Sequence, residues 1–344
     1  MPVSRITHVR SLEGEAAAAW INRWWPVLYD AAPHASAYQA PQWITAWLHQ
    51  LPASDTPVVI VVADEGGVSA ALALARHRSE ATSTLSALTP YAELNDLTGP
   101  GARRPHIAHA LTTHLEQLVR EGAGIDLTNV PGDSELAIAL ARRATWQASP
   151  ARSALIPLPL VWDTLSPSLR RQHAKRERRL HAGHSITYAR TRTTDDLLQM
   201  QPQLERLHAA RWSQDGPART PRPDWMTVLT ELSHETAFIA SIAIDGTLAA
   251  AQLCLHRGTT SWSLRPAMNP DFARLAPGHL LLRRLIDDLA SHGFTGLDLG
   301  RTSESGGQIG YKDQYQPQWS TMLSFRPTPL QPTAVAEQLA SALV

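Results

Sequence analysis

Two positions stand out because they carry lysine, whereas every other Lys or Arg position of the chain is arginine. Of 31 Lys and Arg residues, Lys175 and Lys312 are the only lysines. An ammonium group is a compact charge with rotatable donors, and a guanidinium does not replace it at a tightly packed or proton-handling site. Such a group can stabilise the charge that develops on a carbonyl oxygen under attack. The rarity of lysine makes Lys312 a candidate catalytic residue, and its neighbour Tyr311 could orient a substrate, exchange a proton or pack.

The segment before this pair ends a predicted strand with charged and polar side chains. Asp298 lies within the strand Leu297-Asp298-Leu299, Arg301 follows its end, and Ser303 opens a polar, glycine-rich loop. Arg301 is placed to clamp an anionic group at the mouth of a cleft, and the alternative is a salt bridge to Asp298. We predict that Asp298, Arg301 and Ser303 bind substrate.

Two upstream segments hold further candidates. Tyr91 and Asp96 lie in a polar loop, where Tyr91 could contact substrate and Asp96 could act as a general base. The alternative is that Asp96 has only a structural role, because the residues around it are of types that commonly form turns. Arg211 and Trp212 end a predicted helix. They could form the floor of a substrate pocket, or they could only cap the helix and pack against its neighbours.

A strongly basic helix is predicted between residues 166 and 183. Ser166 is suited to the N-cap, Pro167 to the first helical position and Gly183 to the stop. The segment contains one acidic residue, Glu177, and six basic residues: Arg170, Arg171, Lys175, Arg176, Arg178 and Arg179. The alternative is a solvated basic face, but this charge is concentrated in a neutral protein. We predict an anion-binding helix with Arg170, Arg171, Lys175 and Arg178 as the contacts.

Composition limits the class of protein. At 344 residues with 43% hydrophobic content, the chain is long enough for two cores, and its zero net charge argues against a surface that binds nucleic acid throughout. The apolar runs fall short of the roughly 20 residues that a bilayer needs. The N-terminus lacks a signal-peptide layout. We therefore expect a cytoplasmic protein with no membrane span.

Cysteine and histidine usage gives no sign of a metal site. The single cysteine, Cys254, cannot form an intramolecular disulfide, and its apolar surroundings indicate a buried strand residue. The 15 histidines are scattered without ligand spacing, so we expect no metal.

The two halves of the chain repeat one order of elements. Strand runs at 58–63 and 68–76, a helix at 106–121 and a strand at 125–127 follow two helices at 12–31 and 41–51. Strand runs at 238–244, 248–256 and 260–264, a helix at 278–292 and a strand at 297–299 form the second set. This mixed α/β pattern predicts two similar domains that face each other across a cleft, at residues 1–160 and 161–344.

The C-terminal segment resembles the FemABX and CelD-like branch of the GNAT acyltransferase superfamily, and the similarity spans roughly residues 41–325. The segments that carry it are Ala276-Pro277-Gly278-His279-Leu280-Leu281, Leu297-Asp298-Leu299-Gly300-Arg301-Thr302, Tyr311-Lys312, Leu169-Arg170-Arg171 with Lys175-Arg176, and Leu207-His208-Ala209-Ala210-Arg211-Trp212.

This resemblance implies a tandem GNAT fold, joined by the basic helix, that moves an aminoacyl group from an aminoacyl-tRNA to an amine of a peptide, nucleoside or other small molecule. No covalently bound cofactor is implied, and the family's charge-stabilising lysine falls on Lys312. The first alternative is an acyl-CoA-dependent N-acyltransferase, and the second is an inactive binding module. The sequence indicates no oligomeric state.

One departure from the acyl-CoA pattern bears on the donor. A GNAT pyrophosphate loop presents bare backbone N–H groups at a helix N-terminus. Here Gly278 keeps the first glycine, His279 replaces the second small residue, and Pro277 removes one N–H donor. Gly278 stays a donor-binding candidate, and the departure favours aminoacyl-tRNA.

Overall fold

The computed structural model describes residues 7–79, 82–90, 92–212, 224–302 and 309–328. Its first half begins with a strand, two helices and three further strands, and ends with two pairs of helix and strand. In chain order these are β1 (His8–Glu13), α1 (Glu15–Asp30), α2 (Pro41–His49), β2 (Asp55–Asp64), β3 (Gly67–Arg78), β4 (Ser83–Ala87), α3 (Pro105–Arg120), β5 (Gly124–Pro131), α4 (Glu135–Ala141) and β6 (Trp146–Pro157).

The second half repeats that order after one connecting helix, the predicted basic helix. The elements are α5 (Pro167–His181), β7 (Ile186–Arg190), α6 (Thr194–Trp212), α7 (Trp225–Thr230), β8 (Ala237–Ile244), β9 (Thr247–Arg257), β10 (Thr260–Met268), α8 (Pro277–Ser291), β11 (Gly296–Thr302), α9 (Ile309–Asp313) and β12 (Gln318–Pro327). The predicted duplication and the mixed α/β class are confirmed.

The two units share one sheet. Its 12 strands lie in the order β1-β2-β3-β4-β5-β12-β6-β11-β10-β9-β8-β7. Each unit receives its innermost strand from the other half of the chain, because β12 pairs with β5 and β6 pairs with β11. The sequence predicted two domains that face each other across a cleft; instead, β12 and β6 join the two units edge to edge in one sheet. The boundary near residue 160 stays a prediction.

Local sequence explains most element ends. Asp245 (φ 50°) and Gly246 (φ 77°) form the left-handed pair that a two-residue hairpin needs between β8 and β9. The predicted first helix starts too early, because Leu12 lies in β1, opposite Val59 of β2. The helix begins only after Gly14, whose φ of 61° breaks the strand.

Helices cover both faces of the sheet. On one face α1, α2, α6 and α7 enclose a single apolar cluster that crosses from one unit to the other and contains Trp25, Trp43 and Trp225. On the opposite face α3 and α4 cover the first unit, while α8 covers the second. Cys254 is fully buried in the second-unit cluster, as expected for a core residue. Within the described ranges, no helix has the length and apolar character needed to cross a membrane.

Strand exchange should couple the stability of the two units. Phe325 of β12 is fully buried in the core of the first unit, although it belongs to the C-terminal end of the chain. We predict that Phe325→Ala lowers the free energy of unfolding by roughly 3–5 kcal/mol. Because β12 bridges both units, unfolding in urea should remain one transition by circular dichroism and tryptophan fluorescence.

The matched control is Val161→Ala, since Val161 is 59% exposed and its truncation should change stability by less than about 0.5 kcal/mol. Two separate transitions, with the second unit unaffected by Phe325→Ala, would contradict this coupling.

Candidate functional site

A gap opens in the sheet where β10 and β11 separate. These strands run parallel and pair only as far as Trp262 and Asp298, although both continue further. A register shift interrupts each strand just beyond, between Ser263 and Arg265 in β10 and between Asp298 and Arg301 in β11. Irregularities of this kind bend strands and redirect side chains. The gap therefore exposes side chains of both strands on both faces of the sheet.

Lys312 of α9 reaches the bulged end of β11. Its side chain is 4% exposed, and its ammonium donates to the carbonyl oxygens of Gly300 at 2.6 Å and Arg301 at 3.2 Å. Gly300 has a φ of 77°, a conformation that favours glycine. Burial lowers the pKa of Lys312, against the charges of Glu93 and Asp298, which raise it. An ammonium has three donors, so one remains beyond these two carbonyls.

On the α8 face, the gap opens into a pocket of about 490 Å³, here called the helix-side pocket. Gly278 and His279 at the start of α8 form one wall, and Tyr311 and Lys312 form another. A Cβ at Gly278 would meet no atom within 4 Å, so the backbone there faces open space. The pocket brings three predicted residues together: Gly278, Tyr311 and Lys312.

On the opposite face lies a second cavity of about 200 Å³, here called the acidic cavity. Successive strand residues point to opposite faces, so Trp262 and Asp298 line this cavity while Ser263 and Leu299 line the helix-side pocket. Carboxylates from both units line the acidic cavity: Glu93, Asp96, Asp133 and Asp298. The predicted residues Asp96 and Asp298, far apart in sequence, thus meet in one cavity.

The carboxylates of the acidic cavity have perturbed acidities. Burial raises the pKa of Asp96 to about 7, and burial together with the charge of Glu93 raises that of Asp298 to about 6. The Ser153 hydroxyl at 2.8 Å and the Gly300 amide at 2.6 Å both donate to Oδ1 of Asp298 and partly offset this increase. Such values allow a carboxylate to exchange protons near neutral pH.

Glu93 links the two units at the gap. Its carboxylate accepts the backbone N–H of Arg301 at 2.9 Å and lies 3.9 Å from the Arg301 guanidinium. Arg301 therefore pairs with Glu93, and not with Asp298 as the alternative interpretation had it. The sequence analysis did not single out Glu93, since a partner in the other half of the chain leaves no local signal.

Buried histidine and tyrosine rings border the helix-side pocket. The His279 ring packs edge-on against the Tyr311 ring, with 5.3 Å between the ring centroids. The ring centroid of His173, in α5, lies 6.1 Å from that of His279. Nε2 of His173 also forms a hydrogen bond of 3.3 Å with the Tyr315 hydroxyl. Burial lowers the pKa of His173 to about 4, and burial followed by the charge of Arg176 lowers that of His279 to about 4. Both rings are neutral at pH 7.

Arg176 is a further residue that the sequence analysis did not select as a contact. Its charge acts on His279, Tyr311 and Tyr315, so it lies on the inner side of α5 beside the pocket. One guanidinium nitrogen of Arg176 and Nδ1 of His279 are buried without a hydrogen-bond partner among the described residues. Buried polar nitrogens without partners are costly, so their position favours a ligand that forms hydrogen bonds with them.

The outer face of α5 carries the predicted cations. Arg171, Lys175 and Arg178 follow a spacing of four and three residues, which places them on one face, and all three are exposed. None forms an ion pair with another residue of the described ranges. Arg170 pairs with Asp163 at 3.1 Å. The single acid, Glu177, pairs with Arg283 and Arg284 of α8, so it does not neutralise the outer face.

The equivalent gap in the first unit is filled. Between β4 and β5, Asn95 donates from its side chain to the Thr128 carbonyl at 2.9 Å, and Asn129 donates to the Ala92 carbonyl at 2.8 Å. The space left there is about 20 Å³, enough for about one water. The first unit therefore contributes residues to the shared cavity, and the space between its own β4 and β5 is far smaller than the pocket beside α8.

Four predicted site residues cannot be placed. Tyr91 and Ser303 lie outside the described residues, and Arg211 and Trp212 end α6 with side chains that are likewise outside them.

Comparison with known proteins agrees with this architecture. Residues 167–313 match the family model for an acetyltransferase (GNAT) domain. A search of curated proteins finds no match. Three solved structures are similar over most of their length and of this chain.

The first is the C-terminal domain of a protein assigned as a lysylphosphatidylglycerol synthetase from Agrobacterium fabrum, with 12% identity and a TM-score of 0.61 over 95% of this chain and 96% of that one. The second is FemX, with 13% identity and a TM-score of 0.60 over 88% of this chain and 95% of that one. The third is a tandem GNAT protein from the clavulanic acid biosynthesis pathway, with 18% identity and a TM-score of 0.52 over 95% of this chain and 100% of that one. At these identities, the likeness establishes the fold.

The neutral histidines predict acid sensitivity. Because the pKa of His173 falls from 6.5 to about 4 on folding, the unfolded chain binds more protons between these values. The contribution of neutral His173 to the free energy of unfolding is therefore fully present above about pH 6.5 and is lost as the pH falls towards 4. We predict that His173→Phe reduces the loss of stability between pH 7 and pH 4.5 by about 2 kcal/mol, measured by urea unfolding at both pH values.

The control for this prediction is His181→Gln, at an exposed position of the same helix, which should leave the pH difference unchanged. An unaltered pH difference in His173→Phe would show that His173 is not the titrating group.

Proposed function

We propose that this chain, of which residues 167–313 match the family model for an acetyltransferase (GNAT) domain, is an acyltransferase that transfers an aminoacyl group from an aminoacyl-tRNA to an amine. The observation that carries the proposal is the gap between β10 and β11, with a pocket on each face and Lys312 beside it. A gap of this kind lets a donor on one face meet an acceptor on the other.

The reaction needs an activated carbonyl and a neutral amine. In the proposed mechanism the donor ester lies in the helix-side pocket, and the remaining N–H of Lys312 donates to its carbonyl oxygen. The amine enters from the acidic cavity and forms the new C–N bond. Its proton passes to Asp96 or Asp298, the C–O bond to the ribose breaks, and the leaving oxygen takes up a proton. Arg301 at the gap is suited to hold an anionic part of either substrate.

Three features support a donor rich in phosphate. The outer face of α5 presents Arg171, Lys175 and Arg178 without neutralising acids in the described ranges. On its inner side, Arg176 and His279 have buried nitrogens without partners among the same residues. The resemblance to the FemABX branch implies aminoacyl-tRNA as the donor.

The start of α8 supports aminoacyl-tRNA over acyl-CoA. Pro277 has no N–H, and the His279 N–H donates to the Ala276 carbonyl at 3.1 Å. The backbone cradle that would hold a pyrophosphate is thereby reduced. Acyl-CoA remains the second candidate because the matching family model is that of an acetyltransferase and Gly278 still faces open space.

Lys312 gives the first test of this mechanism. A transition-state contact worth roughly 3 kcal/mol corresponds to about two orders of magnitude in rate. We predict that Lys312→Ala lowers kcat about 100-fold and Lys312→Arg at least about tenfold, because a planar guanidinium cannot replace the point charge. Turnover is measured well below the melting temperature of each variant.

A control is needed because Lys312 also anchors β11, so its loss will reduce stability. Phe325→Ala serves this purpose, since it is expected to be at least as destabilised and Phe325 lines neither cavity. Near-normal turnover in Lys312→Ala would remove Lys312 from the mechanism. An equal loss in Phe325→Ala would assign the effect to stability.

The donor is tested directly by isotope transfer. Labelled aminoacyl-tRNAs and labelled acetyl-CoA are offered separately with a panel of small amines. We predict product only from the tRNA mixture, abolished by ribonuclease. Arg171→Glu with Lys175→Glu should raise the donor KM and flatten its salt dependence, by a log–log slope of roughly 0.7–0.9 for each phosphate that the protein no longer neutralises.

Arg120→Glu with Arg142→Glu makes the same charge change at exposed positions of the first unit and should alter neither quantity. Product from acetyl-CoA, insensitive to ribonuclease, would overturn the tRNA proposal in favour of acyl-CoA.

A further inference from the structure

The carboxylates of the acidic cavity are not all balanced by cations. Glu93 lies 3.9 Å from the Arg301 guanidinium, and Asp133 lies 3.9 Å from Arg103. Asp96 and Asp298 form no ion pair within the described residues, and their hydrogen bonds there come from backbone amides and hydroxyls. Neither carboxylate therefore has a directly paired cation in that part of the chain; Arg103, which lines the cavity, and Lys312 act on Asp96 and Asp298 only from a longer distance.

A buried tyrosine hydroxyl lies near the same cavity. Tyr38 is 1% exposed, yet its hydroxyl has no hydrogen-bond partner among the described residues. Burial and the nearby charges of Glu93 and Asp298 raise the pKa of Tyr38, so the hydroxyl keeps its proton. The Tyr38 ring packs edge-on against Trp262, which lines the cavity, at 6.3 Å. Tyr38 itself lines the small space between β4 and β5. A buried phenol without a partner is unfavourable, so a polar group that reached the hydroxyl from the acidic cavity, past Trp262, would be favoured.

The cavity has room and walls for a small aliphatic chain. Its volume of about 200 Å³ far exceeds what one water needs. Trp262, Leu94 and Met322 provide apolar surface between the acidic groups. A ligand that fits this arrangement has an apolar middle and polar, positively charged ends, because buried charges require pairing.

We propose that the acidic cavity is the acceptor site and that it selects amines bearing a second positive charge, such as α,ω-diamines or the equivalent part of a larger molecule. One nitrogen reaches the gap and reacts, while the other stays protonated and pairs with a carboxylate of the cavity. The Tyr38 hydroxyl gains a hydrogen-bond partner when the acceptor binds. This inference rests on the proposed function for its reaction, but the binding preference exists without a donor.

Equilibrium binding to the donor-free protein tests the preference. The probes are the diamines from 1,3-diaminopropane to 1,6-diaminohexane, each paired with the monoamine of the same carbon length, measured by titration calorimetry. We expect at least one diamine to bind at least tenfold more tightly than its monoamine. Equal affinities across the whole series would overturn the proposal.

Variants locate the bound diamine. Asp298→Asn and Asp96→Asn keep the shape of the side chain and should each weaken diamine binding at least tenfold, with a smaller effect on the monoamine. Asp195→Asn removes an exposed carboxylate at the start of α6 and should leave binding unchanged. Unchanged diamine affinity in both cavity variants, with melting temperatures showing that they fold, would place the diamine elsewhere and contradict the proposal.

Tyr38→Phe separates a ligand contact from a structural one. Because the hydroxyl has no partner among the described residues, its removal should not lower the melting temperature of the free protein. It should weaken diamine binding several-fold. A lower melting temperature with unchanged diamine affinity would make the hydroxyl structural. If aminoacyl transfer proceeds equally well to monoamines, the proposed function stands and the requirement for a second charge falls.

Discussion

The hydrogen bonds from the Lys312 ammonium to the carbonyl oxygens of Gly300 and Arg301 are the contacts on which the site depends. They satisfy carbonyl oxygens that leave the regular ladder at the β11 bulge, where β10 is no longer alongside to donate N–H groups to them. A buried cation would be costly without such acceptors. The same contacts hold the ammonium at the edge of the helix-side pocket, so one interaction both stabilises the opened sheet and positions the charge that the mechanism needs.

Strand exchange explains why two units are needed for one site. The reciprocal placement of β12 and β6 brings the separated ends of β10 and β11 against the loop that carries Glu93 and Asp96. The first unit fills its own gap with Asn95 and neighbouring residues, and instead supplies carboxylates to the gap of the second. The duplicated fold therefore divides its roles: the second unit holds the helix-side pocket, which we propose takes the donor, and the first unit completes the opposite cavity.

Local patterns predicted the elements well, and the arrangement of the sheet less well. The caps of α5 and the order of elements within each half can be predicted from short stretches of sequence, and the structure has both. The exchange of β6 and β12 leaves no such signal, because it depends on pairing between strands distant in the chain. Likewise, Lys312 could be selected by its rarity and by the family motif. Glu93 and Tyr38 gain their significance only from the surroundings that the fold brings near them.

The central claim is that the helix-side pocket holds the aminoacyl end of the donor, with its carbonyl oxygen on Lys312. The most direct measurement is a crystal structure with a hydrolysis-resistant donor analogue, an adenosine carrying an amide-linked amino acid at the 3′ position. We predict that the analogue lies between α8 and Tyr311, with its carbonyl oxygen about 2.7–3.1 Å from Nζ of Lys312 and its amino acid pointing through the gap towards the acidic cavity. An analogue bound in the first unit, or bound beside α8 with its carbonyl beyond hydrogen-bond reach of Lys312, would contradict it.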